Sequence, residues 1–477
     1  MGDHGTRRGE GVQIYDLVVV GGGSAGFAAA IDAAEQGAKV ALVEAGLIGG
    51  TCVNVGCVPS KTLLAAAQTR HTALSSRFEG IRAKADPVDF SKVIGQKDAL
   101  VEELRKAKYL DVLEAYPAIT LLRGHARIDS AERVQVDGRP VGSSRVVIAT
   151  GARPWAPPIE GLEAAGYWTS TEALSASELP RHLLVIGGSA VGLELAQMYA
   201  RLGSRVTVLE ALGRIAPAED ESVGPELARY LLEEGVESHA GVQVLRVRRG
   251  AEGYEVDVEE AGRTRTVHGD RLLVATGRRP HTDGMGLEKL GIKLTRTGAI
   301  EVDEFLETAA AGVYAAGDVT GKSMFVYVAA YQGTLAARNA LGKEPAAEDL
   351  TAVPRVTFTD PAVASVGLTA EQAWAAGHTV MERSLPLAYV PRALANRDTR
   401  GFVKIVAEEG TERILGVHIL APDAGEMIIE ATLAVRFELT LQDIRDTLHP
   451  YLTFGEGLKL AAMSFTRDVT KLSCCAG

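Results

Sequence analysis

Tyr15-Asp-Leu-Val-Val-Val-Gly-Gly-Gly-Ser-Ala-Gly26 and His182-Leu-Leu-Val-Ile-Gly-Gly-Ser-Ala-Val-Gly192 are two copies of one design. Each runs from a continuous apolar stretch, the pattern of a strand buried on both faces, into a glycine turn and then a helical pattern. Downstream of each, a second strand pattern ends in an acid: Lys39-Val-Ala-Leu-Val-Glu44 and Arg205-Val-Thr-Val-Leu-Glu210, 23 residues after Gly21 and Gly187 respectively. Strand, glycine turn, helix and terminal acid make a βαβ dinucleotide site. The turn lets the backbone approach a pyrophosphate at the helix N-terminus, and the acid accepts hydrogen bonds from ribose hydroxyls. A lone glycine motif is weak evidence, but all four parts occur twice. Gly21, Gly23, Gly26 and Glu44 are the candidates in the first copy, and Gly187, Gly192 and Glu210 in the second. Ser189 stands where the middle glycine of the second turn would be and leaves a phosphate less clearance.

Working outward, Arg145-Val-Val-Ile-Ala-Thr-Gly-Ala-Arg-Pro154 is echoed by Arg271-Leu-Leu-Val-Ala-Thr-Gly277-Arg-Arg-Pro280, each a strand closing one unit. The predicted fold is α/β: two Rossmann-like dinucleotide-binding domains plus a C-terminal α+β domain. A short tail (1–14) precedes a first unit over 15–151 and 279–350. The second unit, 152–278, is inserted into it, and 351–477 forms the third domain, starting at strand-like Val353-Pro-Arg-Val-Thr-Phe-Thr. At 477 residues the length also points to about three domains.

Composition narrows the function classes. With 50 basic against 61 acidic side chains the net charge is −11, which argues against a general nucleic-acid or anionic-membrane binder. No apolar run of about 18 residues appears, so no transmembrane helix is predicted. With no targeting segment expected, the cytoplasm is the default, where thiols stay reduced unless they do chemistry. The four cysteines form two tight pairs, Cys52/Cys57 and Cys474/Cys475, which suggests chemistry rather than stapling.

The first pair lies in Gly49-Gly-Thr-Cys-Val-Asn-Val-Gly-Cys-Val-Pro-Ser-Lys61. On a regular helix, Cα atoms five residues apart are about 8.6 Å from each other, beyond the roughly 7 Å that a disulfide spans. A Cys52–Cys57 bridge therefore needs a distorted turn, which Gly56 permits. A thiolate at a helix start would be stabilised by the helix dipole. Core cysteines or zinc ligands are the alternatives, and no second ligand pair with suitable spacing accompanies them.

With this element on the page, the sequence strongly resembles the flavin-dependent pyridine nucleotide–disulfide oxidoreductases, from about residue 12 onward. The resemblance implies FAD in the first unit, a nicotinamide nucleotide in the second (Gly187, Gly192, Glu210, Gly277) and a C-terminal dimerisation domain that makes a homodimer. It places Gly21, Gly23, Gly26, Glu44, Gly46, Thr51, Ala126 and Asp318 around FAD, with Val326 flanking the isoalloxazine. It assigns Lys61 and Glu194 to an ion pair beside the flavin, Cys57 to the sulfur against the flavin and Cys52 to the exchange thiol.

Two features depart from most disulfide reductases of that family. Where they carry His-Pro-x3-Glu, this chain reads Leu448-His-Pro-Tyr-Leu-Thr-Phe-Gly-Glu-Gly-Leu-Lys459; aligning Glu456 puts Tyr451 at the histidine position and leaves His449 two residues early. With a reference pKa of about 10, tyrosine is a poor proton shuttle at neutral pH. The chain also ends Leu-Ser-Cys-Cys-Ala-Gly477, where adjacent cysteines offer two soft donors to a thiophilic ion that prefers two-coordinate geometry. Together with Phe325-Val-Tyr-Val-Ala-Ala-Tyr331 these make the sequence similar to the family members that reduce mercury(II).

On that resemblance, Cys474 and Cys475 collect Hg(II) from small thiols and pass it to Cys52 and Cys57 of the partner subunit. Tyr451 and Tyr167 assist at the transfer site, and NAD(P)H reduces the ion to Hg(0) through FAD. Such members are generally NADPH-linked, whereas Glu210 suits the free 2′-hydroxyl of NADH and Arg214 is close enough in sequence to offset it; both nucleotides are expected to work. About 14 residues precede the first strand, so no separate metal-carrier domain is expected. The competing readings are a dihydrolipoamide dehydrogenase-like disulfide reductase, favoured by Glu210, and a metal-sequestering flavoprotein without turnover.

Overall fold

The computed structural model describes residues 13–342 and 344–471, so the expected tail at 1–14 lies largely outside it. The chain forms two compact units. The first comprises the residues up to 59, then 98–154 and 278–348. Its sheet is built around Ile14–Val20, which pairs in parallel with Val40–Glu44 on one side and Arg139–Ile148 on the other. Ile119–Arg123 extends the parallel array beyond Val40–Glu44, and Val313–Ala315 adds to the far side of Arg139–Ile148. Leu17, Val18 and Val19 are wholly buried, as the unbroken apolar run requires of a strand covered on both faces. The early part of Arg139–Ile148 turns into an antiparallel ladder with Arg133–Val136 and Ala126–Ser130.

One face is covered by the helices Ser24–Glu35 and Val326–Leu341, whose alanines permit close packing. A Cβ at Gly333 would stand 2.1 Å from the Ala25 carbonyl oxygen, so these two helices touch backbone to backbone. Met285, Leu287 and Ile300 cover the other face.

The second unit comprises 60–97, 155–277 and the residues from 349 on. Its parallel sheet has the order Val236–Ala240, Arg205–Glu210, His182–Ile186, Arg271–Val274. Leu183, Leu184, Leu193 and Tyr199 are buried to within 2 % and each such side chain contributes about 1.5–3 kcal/mol. A three-stranded antiparallel ribbon follows, Val242–Gly250, Gly253–Glu260 and Arg263–Gly269. The C-terminal region is an antiparallel sheet of five strands between Arg355 and Ala421, packed by Ala424–Arg436 and Glu456–Met463. The architecture is the expected one: two parallel sheets, each entered through a glycine turn, and a C-terminal α+β region. Among the described residues no helix is long and apolar enough to cross a membrane.

Candidate active site

The two glycine turns are geometric duplicates. Gly21 has φ +111° and Gly187 φ +108°, the left-handed region that glycine alone enters without strain. A Cβ at Gly26 would stand 1.8 Å from the Gly21 carbonyl oxygen, and one at Gly192 would stand 2.0 Å from that of Gly187. Glycine there lets each helix cross its own turn. Gly23 and Ser189 are the N-caps, and neither helix start has a side-chain cap, which leaves first-turn amides to meet an anion.

The strand-end acids brace these turns. Glu44 accepts from the Gly22 and Gly46 amides, both at 2.6 Å, and Glu210 accepts from Gly188 at 2.6 Å and Leu212 at 2.8 Å. Each carboxylate oxygen retains lone-pair capacity for a ribose hydroxyl. Arg214, the cation nearby in sequence, donates from its Nη2 to the carbonyls of Pro217 and Glu219.

A cavity of about 470 Å³ in the first unit brings Gly21, Gly23, Glu44, Thr51, Cys52, Cys57, Ala126, Asp318 and Val326 together. Gly26 and Gly46 support the turn and the acid from behind. The cysteines flank a break between two helices: Gly50–Val55 ends, Gly56 takes φ −130° and ψ −110°, and Cys57 starts Cys57–Leu74. The distorted turn anticipated at Gly56 is therefore present. A Cβ at that position would stand 2.9 Å from the Thr51 carbonyl oxygen. Cys52 is half-buried and Cys57 exposed to the cavity.

Two residues not assigned from sequence bear on this site, Arg278 in the cavity wall and Tyr109 outside it, with its phenol in the field of both thiols. Arg278, directly after Gly277, donates to the Ala152 carbonyl and faces Asp318 at 3.8 Å. Burial pushes the Asp318 carboxyl up and the Arg278 guanidinium down, with each partly restoring the other's charge. A buried cation beside uncapped helix amides suits a pyrophosphate. Tyr109 is the second: burial raises its phenol, Cys52 and Cys57 add to the shift, and Ser24 hydrogen-bonds the hydroxyl. Its ring packs edge-on against Phe27 with centroids 4.7 Å apart.

Tyr167 is not among the residues lining the cavity. Tyr167 belongs to the second unit, where its hydroxyl bonds Glu163 at 3.0 Å. The same unit holds the anticipated ion pair: Lys61 Nζ lies 2.7 Å from Glu194, whose other oxygen accepts from the Phe358 amide at 2.9 Å. Tyr451 is 46 % exposed. His449 is not idle, as its Nε2 lies 2.7 Å from Glu430 and that hydrogen bond raises its pKa above the usual 6.5. Cys474 and Cys475 lie outside the described residues.

Residues 15–333 match the family model for pyridine nucleotide-disulphide oxidoreductase, and residues 353–462 match that family's dimerisation domain. The chain is 48 % identical over 469 residues to the mercuric reductase of Streptomyces lividans, covering 97 % of this chain and 98 % of the relative. It is 45 % identical over 463 residues to the mercuric reductase of Lysinibacillus sphaericus, covering 97 % and 85 %. Among solved structures it is similar to the HOCl-induced flavoprotein disulfide reductase RclA from Escherichia coli, with 32 % identity, a TM-score of 0.84 and coverage of 95 % of this chain and 100 % of that one. The duplicated glycine turns, the dithiol at a helix break and these matches show that the chain is an oxidoreductase and belongs to the pyridine nucleotide-disulphide oxidoreductase family.

Proposed function

We propose that this protein reduces Hg(II) to Hg(0) with two electrons from NAD(P)H, in mercury detoxification in the cytoplasm. The observation that carries the reading is the pair Cys52 and Cys57 at the break between two helices, in the same cavity as a dinucleotide-binding turn. Curated relatives named mercuric reductase at 44–48 % identity support the choice of metal.

The cavity residues fit FAD: Gly21 and Gly23 with the helix start at Ser24 take the pyrophosphate together with Arg278, Glu44 takes the adenosine ribose, and Asp318 takes the ribityl end. Bound FAD supplies the two-electron relay between the nicotinamide and the dithiol. We assign 15–151 and 279–350 to FAD binding, 152–278 to NAD(P)H and 351–477 to the dimer interface.

Cys57, at the positive end of an 18-residue helix, is placed to be a thiolate. With Cys52 it offers Hg(II) two soft sulfurs, the donor set a thiophilic two-coordinate ion prefers. Tyr109 stays protonated beside them and donates a hydrogen bond to whichever sulfur or leaving thiol carries charge. Lys61 follows Cys57 by one helical turn and is oriented by Glu194. Cys474 and Cys475 of one subunit collect Hg(II) from small thiols and deliver it to the other subunit, where Tyr451 assists the exchange.

The test is anaerobic reduction of the purified flavoprotein by NAD(P)H, followed by Hg(II) in excess thiol. Renewed nicotinamide oxidation with volatile mercury is expected, and Cys52→Ala or Cys57→Ala should abolish it. Cys474→Ala/Cys475→Ala should slow turnover severely when thiols hold the metal. Absence of flavin bleaching, or rapid reduction of lipoamide or glutathione disulfide with no response to Hg(II), would overturn the reading.

A further inference from the structure

The second dinucleotide site repeats the first down to its hydrogen bonds, and the repeat serves as an internal standard. In both copies the acid ends the second strand and its two oxygens take one amide from the glycine turn and one from two residues downstream. The first acid, Glu44, is assigned above to the adenosine ribose of FAD, a nucleotide whose 2′-position carries only a hydroxyl. A site built to the same plan around Glu210 receives the same diol. A carboxylate accepts two ribose hydroxyls readily, whereas a 2′-phosphate brings nearly two negative charges against it.

The surroundings of Glu210 deepen that asymmetry. Glu210 is 7 % exposed, so solvent screens it poorly, while the equivalent Glu44 is only half-buried. A 2′-phosphate therefore needs a neighbouring cation. The loop 211–222 that follows Glu210 contains one, Arg214, against Glu219, Asp220 and Glu221. Arg214 is committed elsewhere. Its stem lies against Gly224, where an added Cβ would meet Arg214 Cβ at 3.2 Å and Cδ at 3.4 Å. Its Nε is buried without a hydrogen-bond partner among the described residues, and its Nη2 donates to two carbonyls of its own loop. The guanidinium closes the loop onto the start of helix Val223–Glu233 rather than serving Glu210.

We infer that Glu210 makes this enzyme selective for NADH over NADPH, in contrast to the NADPH dependence that its sequence resemblance implies. The inference rests on the reading of the second unit as a nicotinamide-nucleotide site. Losing a charge-assisted hydrogen bond and adding like-charge repulsion together amount to a preference of about tenfold or more.

The experiment is calorimetric titration of the oxidised holoenzyme with NAD+ and with NADP+, paired with kcat/KM for NADH and NADPH. The wild-type protein should bind NAD+ about tenfold or more tightly than NADP+. Glu210→Gln keeps the shape and one acceptor for the loop amides, and should narrow that ratio by about tenfold. Leu212→Arg offers a second route that leaves Glu210 in place: the Leu212 side chain is 58 % exposed and only its backbone holds the acid. It should raise NADP+ affinity selectively. Equal or tighter wild-type binding of NADP+ would overturn the inference and leave the nicotinamide site standing; so would unchanged ratios in both variants. Binding of neither nucleotide would overturn both the inference and the reading beneath it.

Discussion

Tyr109 sits in a π-helical turn, Lys106–Leu110, inserted between the helices Phe90–Arg105 and Asp111–Ala115. Tyr109 is the half-buried residue of this otherwise exposed turn, packed on the first unit's core and hydrogen-bonded to Ser24. The edge-on contact with Phe27 holds the ring and contributes about 0.5–1.5 kcal/mol. Tyr109→Phe keeps that packing and deletes only the hydroxyl. Because a hydrogen bond to a charged group contributes about 1.5–3 kcal/mol, Hg(II) turnover should fall about 10- to 100-fold while bleaching of the flavin by NADH stays normal. Tyr167→Phe loses only a hydrogen bond to exposed Glu163 and should leave turnover unchanged. Stopped-flow traces of flavin reduction and of its reoxidation by Hg(II) separate the two steps; equal reoxidation rates in the wild type and the Tyr109 variant would remove the phenol from the mechanism.

At the scale of elements, each strand–turn–helix unit depends on one glycine whose absent side chain lets the helix cross its own turn. An alanine at Gly26 or Gly192 meets a carbonyl oxygen of the backbone, which cannot swing away as a flexible side-chain end would. Overpacking of this kind costs roughly 1–3 kcal/mol and displaces the phosphate-facing amides. Gly26→Ala should therefore purify with little flavin, read as a low ratio of absorbance at the flavin and protein bands. Gly192→Ala should retain flavin and lose its bleaching by NADH. The reverse pattern would exchange the assignments of the two turns.

On the scale of the whole molecule, the second unit is tied together by a buried ionic network that has no counterpart in local sequence. Arg201, 5 % exposed, reaches Glu234 at 2.6 Å and Asp360 at 2.8 Å, and Arg400 reaches Asp360 at 2.6 Å and Asp398 at 2.8 Å. Burial pushes the Asp360 carboxyl up, yet Arg400 and Arg201 outweigh it and hold the pKa below the ordinary 3.8. A depressed folded pKa stabilises above the unfolded value, so this contribution is present at neutral pH and is lost as acidification passes the folded one. Glu234→Ala leaves Arg201 only the Asp360 carboxylate, which Arg400 also uses, so the buried cluster carries excess positive charge and the protein should be destabilised by roughly 3–5 kcal/mol. Denaturant unfolding would show this as a lowered midpoint, and an unchanged midpoint would make the network energetically neutral.

Sequence alone determined what short-range geometry dictates: the two parallel-sheet units with their glycine turns and terminal acids, the need for a distorted turn at Gly56, and the cysteine pair beside it. Those features are legible because strand burial, positive φ and close backbone approach each restrict residue type at fixed spacing. Tertiary structure decided what distant segments do to one another. Tyr109 comes under the field of the thiols from more than fifty residues downstream, Arg278 faces Asp318 across 40 residues of chain, and His449 finds Glu430 on a neighbouring helix. Arg214 was legible as a cation near Glu210, but its direction was not. A side chain's identity is written in the sequence, whereas the backbone carbonyls that capture it are positioned only when the loop closes.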